Sequence, residues 1–250
     1  MLTTTRAKVE KVNLHNSSKF DENGYEILPK ISERELLDLR FLIRNKYLRT
    51  LADFGLDRFD NEGSTFPRNY HNLNLKNHSS IWSKQHRIFS KKEVGQFLKL
   101  DLFEHLKTDF GFCKIADIEG LGYPEVYWRI VRPNNSNDVS GVHADSWFFT
   151  HTNKLSETQQ KKLLKVWMPI EVIPADGGLG VYPGSHLKKW DYSTIKKDGR
   201  MKPKLDYTPD HEHYVLPLNP GEPVIFDRDL LHYGISHDSD YTRVSLEFAI

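Results

Sequence analysis

The feature that most constrains this fold is a change of character after Gly120. Before it, apolar residues recur at helical spacing. After it, they fall into short alternating runs. Ser32 and Glu35 have the spacing of a capping box, in which a hydroxyl and a carboxylate each satisfy a free backbone N–H at a helix start. Leu36, Leu37, Leu39, Leu42, Ile43 and Tyr47 continue the helix, and Gly55 is a natural stop. Ser90 and Glu93 repeat the pattern ahead of Phe97, Leu98, Leu100, Leu102, Phe103 and Leu106, with a break at Leu100-Asp101. Residues 56–80, rich in Asn, Arg, His and Gly, read as a long surface loop. Strands are expected at 24–29, 125–131, 166–173, 180–182, 223–226 and 242–249, where β-branched and aromatic residues cluster. Pro169 places the 166–173 strand at an edge or a bulge, because proline cannot donate to the ladder. Helices first and short strands second predict a helical cap on an antiparallel sandwich or barrel. Two polar stretches, 149–164 and 187–213, interrupt the strands and have the length of lids or binding loops.

Composition narrows the functional classes. The chain has 250 residues, enough for one large domain, and is 38% hydrophobic and 12% aromatic, which excludes wholesale disorder. With 35 basic and 34 acidic residues, no global field favours nucleic acid or an anionic membrane. No apolar run has the length of a bilayer span. MLTTTRAKVEKVNLHNSSKF has no apolar core of signal-peptide length, and Cys113 is the single cysteine. A cytoplasmic protein acting on a small molecule is expected. Residues 1–23 are a polar segment without assigned chemistry, and 24–250 are expected to form one domain.

Twelve histidines are present, and their placement carries the chemistry. In Gly141-Val142-His143-Ala144-Asp145, the histidine and the aspartate stand two apart, so on a strand both face one way. A third ligand must come from elsewhere, and His232, at the end of a hydrophobic run, is the candidate. Two histidines and one carboxylate cover one face of a metal and leave positions open. That suits non-haem Fe(II), which must also bind a co-substrate and dioxygen. A structural zinc site would more often take four protein ligands. Arg243 and Ser245 share a strand face, and a guanidinium with a hydroxyl can grip a carboxylate at two points. The competing reading is a strand arginine paired with Glu247 or Glu222.

Taken together these segments resemble the phytanoyl-CoA dioxygenase-like branch of the Fe(II)/2-oxoglutarate-dependent oxygenases. The resemblance rests on four blocks in family order. They are the opening Gly24-Tyr25-Glu26-Ile27-Leu28-Pro29 with the helix after it, His143-Ala144-Asp145, the Pro183-Gly184-Ser185-His186 signature after Gly178, and His232 through Arg243. It implies a mainly β fold with flanking helices, a double-stranded β-helix (a cupin-like jelly roll) under an N-terminal helical cap. It implies Fe(II) on His143, Asp145 and His232. It implies 2-oxoglutarate as co-substrate, with its distal carboxylate on Arg243 and with Ser245 and Trp167 beside it, and O2 as oxidant. Tyr127, Arg129 or Arg132 would touch co-substrate or substrate. The implied reaction decarboxylates 2-oxoglutarate to succinate and CO2, and inserts one oxygen atom into an aliphatic C–H. Related halogenases carry a small residue in place of the carboxylate, so Asp145 favours hydroxylation. The polar loops favour a sugar, an amino-acid derivative or a natural-product intermediate over an acyl-CoA.

Other residues receive plainer readings. His186 reads as a turn residue, His211 and His213 as surface or lid groups, and His151 and His237 as solvated. Trp147, Phe148 and Phe149 read as partly buried or pocket-lining, and the lysines of 161–165 as a solvated face. Two alternatives stay open. One is a non-redox cupin-like isomerase or epimerase, which would not require Arg243 and Ser245. The other is a non-catalytic ligand-binding relative, for which an intact ligand set without a metal would be costly.

Overall fold

The computed structural model describes residues 18–56, 67–112, 114–149, 163–174, 178–197 and 200–250. Helices α1 (Ser18–Asn23), α2 (Glu33–Asp53), α3 (His78–Ile81), α4 (Lys84–Arg87), α5 (Lys91–Phe97) and α6 (Leu102–Phe110) fill the first half, with strand β1 (Tyr25–Ile27) among them. Strands β2 (Val126–Val131), β3 (Leu164–Glu171), β4 (Leu179–Val181), β5 (Tyr192–Lys197), β6 (Arg200–Leu205), β7 (Tyr214–Val215), β8 (Val224–Asp227), β9 (His232–Gly234) and β10 (Arg243–Ala249) follow, with α7 (Ser146–Phe149) between β2 and β3. Both capping boxes form: Ser32 and Ser90 accept from the N–H of Glu35 and Glu93, whose carboxylates accept from the serine N–H in return. The break between α5 and α6 falls where the sequence placed it.

The strands make a five-stranded sheet in the order β1-β8-β3-β10-β2, a three-stranded sheet β7-β4-β9 and a separate hairpin β5-β6. All pairings are antiparallel. Alternation gives the large sheet two unlike faces. Val126, Trp128 and Ile130 of β2, Val166, Met168 and Ile170 of β3, and Val244, Leu246 and Phe248 of β10 point to the helices. There they share one core with Leu36, Leu39, Ile43, Phe97 and Leu106. On the other face, Trp167, Val224 and Phe226 pack against Leu179 and Val181 of the small sheet. Two antiparallel sheets face to face with helices outside one of them are the jelly roll expected. Among the described residues, no helix is long and apolar enough to cross a membrane.

One expectation is met in its second form and three are corrected. Strand β3 is central, and of the edge or bulge that its proline allowed it has the bulge. Its proline is tolerated beside a bulge, since the β10 register shifts between Val244, opposite Glu171, and Ser245, opposite Pro169. Within the expected loop 56–80, the described residues 67–80 are not all at the surface: Tyr70 is buried, its ring edge-on to Tyr47 at 6.2 Å. The polar stretch 187–213 contains the β5-β6 hairpin, tied down by Tyr192 stacked on Trp147 at 4.4 Å. Residues 18–23, placed in the polar N-terminal segment, form α1, and Phe20 meets Phe110 edge-on at 5.9 Å. Residues 150–162 of the other long stretch, with His151, lie outside the described residues.

Candidate active site

His143 and His232 are brought together by backbone. Each donates its N–H to the other's carbonyl, at 3.0 and 2.9 Å, which makes a single antiparallel bridge next to β9. The imidazole centroids are 4.3 Å apart. His143 Nδ1 lies 2.7 Å from the carbonyl of Gly141, and His232 Nδ1 lies 3.0 Å from that of Leu230. A carbonyl only accepts, so both Nδ1 atoms carry the hydrogen and both Nε2 lone pairs are free. Each Nε2 is 3.8 Å from Asp145 Oδ1. The three donor atoms all lie within 4.8 Å of one another, a grouping that could hold a metal ion. Asp145 is not on a regular strand. It stands in the turn that opens α7, where Ser146 N–H donates to the carbonyl of Arg228 at 3.0 Å.

Protonation suits ligation. Burial, with His232 adding to it, lowers the His143 pKa to about 3, so its ring is neutral. Burial pushes the Asp145 carboxyl up, but Lys165, His232 and His143 outweigh it and hold the group below its ordinary value. A neutral imidazole and an ionised carboxylate are the forms in which such side chains bind a divalent cation. Asp145 Oδ2 is buried with no hydrogen-bond partner among the described residues. Lys165 Nζ lies 4.0 Å from it, and Oδ1 is the oxygen turned to the two histidines.

An unmet need belongs to Arg243. It is 3% exposed, and its Nη1 finds no partner among the described residues. Burial lowers its pKa to about 10, which still leaves it charged at neutral pH. The pairings that could have explained it are taken elsewhere. Glu247 holds Arg129, and its Oε2 holds Lys165 Nζ at 3.2 Å. Glu222 closes its own turn through Asn219 N–H at 2.8 Å. A buried cation without an anion is expensive, and a carboxylate ligand would relieve it. Ser245, 4% exposed, shares its strand face. Trp167 lies on the same side of the sheet, its ring so close to Gly178 that a Cβ there would come within 2.6 Å.

A cavity of about 860 Å³ borders the site, walled by His143, Asp145, Phe148, Tyr127, Arg129 and Lys165. Phe148 meets the His143 ring edge-on at 5.3 Å. Farther out, the lining includes Lys84, Glu125, Asp138, Lys202 and Asp206, charges of both signs. Of the three β2-region residues singled out in the sequence, Tyr127 and Arg129 reach the cavity. Arg132 instead makes a two-point pair with Asp138, at 2.8 and 2.9 Å.

Sequence reasoning missed Lys165, and offered Glu247 only as a partner for Arg243. Lys165 was read as part of a solvated lysine face, yet it is 8% exposed on β3. Burial pushes its pKa down, and Tyr127, Glu247 and Asp145 more than reverse that. Burial likewise pushes Glu247 up, and Arg129 with Lys165 holds it far below the carboxylate range. Alternation with Trp167 was the signal available for Lys165. His237 is also a correction: it is buried, its Nε2 3.3 Å from the Val131 carbonyl. His186 is a turn residue, as read, and packs on Gly24, whose φ of +80° and contact with the ring exclude a side chain there. His211 contacts the Pro183 carbonyl at 2.6 Å, and His213 lies against Tyr182. Trp147 is buried, as one reading held, and the side chain of Phe149 lies outside the described residues.

A jelly roll holding two histidines and an aspartate, with a buried arginine whose Nη1 has no partner among the described residues, fits a class, the mononuclear non-haem oxygenases that use a dicarboxylate co-substrate. The chain belongs to the phytanoyl-CoA dioxygenase (PhyH) family, whose model matches residues 20–245. It is therefore an iron- and 2-oxoglutarate-dependent oxygenase. A search among curated proteins finds no match. Solved structures share the fold at low identity. SnoK, a non-haem alpha-ketoglutarate-dependent carbocyclase from nogalamycin biosynthesis, superposes with a TM-score of 0.55 at 17% identity, over 92% of this chain and 80% of its own. EvdO2 from Micromonospora carbonacea var. aurantiaca, complexed with 2-oxoglutarate, gives 0.55 at 16%, over 92% and 88%. EctD from S. alaskensis, with 2-oxoglutarate and 5-hydroxyectoine, gives 0.53 at 17%, over 92% and 73%.

Proposed function

We propose that this chain hydroxylates an aliphatic C–H of a small or medium polar metabolite, with 2-oxoglutarate and O2 as co-substrates. In this reading residues 24–250 act as one oxygenase domain. Fe(II) is held by His143 Nε2, His232 Nε2 and one oxygen of Asp145. The observation that carries the reading is the buried Arg243 on the site face of β10, whose Nη1 has no hydrogen-bond partner among the described residues and would suit a carboxylate. Arg243 binds the distal carboxylate of 2-oxoglutarate, Ser245 adds a hydrogen bond, and Trp167 walls the co-substrate in.

When bound, the iron supplies the oxidative decarboxylation that yields succinate and CO2 and an oxidant for the C–H. The protein's part is to position and to exclude water. The Gly141 and Leu230 carbonyls fix the imidazole tautomers. Phe148 shields one side of His143. The cavity presents the substrate along Asp145, and its mixed charges favour a polar or zwitterionic molecule over a lipid chain. Sugars, amino-acid derivatives and natural-product intermediates fit that lining.

Aerobic incubation with Fe(II), 2-oxoglutarate and a panel of such metabolites tests the proposal. The expected result is succinate in step with a product one oxygen atom heavier. An isomer of the substrate formed without succinate would replace the hydroxylase with the non-redox reading.

A further inference from the structure

Behind the metal ligands lies a buried charge cluster that the proposed chemistry does not use. Lys165 on β3 has its Nζ 4.0 Å from Asp145 Oδ2, 3.2 Å from Glu247 Oε2 and 3.2 Å from the Tyr127 hydroxyl, to which it donates. Glu247 is held from its other side by Arg129. The same ammonium sits 5.0 Å over the Tyr127 ring. Every member is on the site face of β2, β3 or β10, where strand alternation otherwise places groups facing the small sheet. Glu247, Tyr127 and Lys165 are each less than a tenth exposed.

The two oxygens of Asp145 therefore meet different surroundings. Oδ1 faces both histidine Nε2 atoms at 3.8 Å, and Oδ2 faces the ammonium. A free carboxylate can bind a metal through one oxygen or two. A cation fixed against one oxygen favours the one-oxygen mode, because the second oxygen already has its counter-charge. The choice matters to the reaction class. One-oxygen binding leaves three of six positions, two for the 2-oxoglutarate chelate and one for dioxygen. Two-oxygen binding would take one of these.

We infer that Lys165 is a positioning residue: anchored by Glu247 and Tyr127, it holds Asp145 to one-oxygen metal binding and so keeps the co-substrate positions open. This rests on the ligand set given under Proposed function.

Cobalt(II), which reports its ligands through its visible absorption, tests it without turnover. Metal-free protein is titrated with Co(II) and then with 2-oxoglutarate. In Lys165→Met the visible band is expected to shift as the second Asp145 oxygen replaces a solvent molecule on cobalt, and 2-oxoglutarate affinity to fall about tenfold. Lys165→Arg, which keeps the charge, is expected to restore both. Lys165→Met removes the cation that Asp145 and Glu247 share and could fail to fold, so Lys165→Met/Glu247→Gln, which removes cation and anion together, is run beside it with the same expected shift. An unaltered band and unaltered 2-oxoglutarate affinity in a folded variant lacking Lys165 would overturn this inference alone. If the wild-type band itself persists in His143→Ala, the ligand set is wrong and the earlier reading fails first.

Discussion

Along β2, β3 and β10 the two faces of the large sheet obey opposite rules. On β10, Val244, Leu246 and Phe248 enter an apolar core with the helices, whereas Arg243, Ser245 and Glu247 between them are equally buried and polar. The first set lowers the free energy of the fold in the ordinary way, by removing apolar surface from water. The second carries buried charges that need partners. On β3 the contrast repeats, with Val166 and Met168 on one side and Lys165 on the other. One face secures the sheet, and the other uses its rigidity to hold polar groups at fixed separations. Substitutions should therefore separate by parity along the strand: stability on one face, ligand binding on the other.

The largest expected effect belongs at the metal ligands. His232→Ala should remove 2-oxoglutarate turnover to succinate in protein that remains folded by circular dichroism. Next comes the core face. Phe248 packs edge-on with Phe97 at 5.4 Å, and Phe248→Ala should cost about 3–5 kcal/mol in denaturant unfolding. Folded molecules of that variant should keep wild-type 2-oxoglutarate affinity, and a loss of affinity equal to the loss of stability would break the division. A smaller effect is expected from Arg243→Met. Loss of charged hydrogen bonds should weaken 2-oxoglutarate about ten- to a hundredfold. Stability should hold or rise, since a buried cation whose Nη1 has no partner among the described residues is removed. Smallest is Ser32→Ala at the N-cap of α2, about 1 kcal/mol, with no change in ligand affinity.

Much of this division was legible in the sequence, for reasons that differ by residue. The capping boxes at Ser32 and Ser90 are local chemistry, and both formed. The 242–249 strand alternates cleanly because one face meets apolar helices and the other a polar interior. His143 with Asp145 could be paired from spacing, though Asp145 proves to open a short helix instead of continuing a strand. Pro169 allowed an edge or a bulge, and the choice between them was not legible, because the bulge that lets β3 stand inside the sheet depends on β10, remote in sequence. Lys165 was hidden by its neighbours: at the end of a lysine run it reads as solvated, and its burial depends on Glu247 and Tyr127, remote in sequence. Tyr70 and His237 were misread for the same reason, as polar-flanked residues buried by distant partners.

The central claim is that His143, Asp145 and His232 hold Fe(II) in reach of a 2-oxoglutarate anchored by Arg243. The most direct measurement is anaerobic. Metal-free protein receives Fe(II) and is titrated with 2-oxoglutarate while the visible charge-transfer band of the chelate is recorded. A saturable band in the wild type is expected, absent in His232→Ala and reached only at higher 2-oxoglutarate in Arg243→Met. A folded wild-type protein that binds divalent metal but gives no band, or an Arg243→Met titration that overlays the wild type, would contradict it.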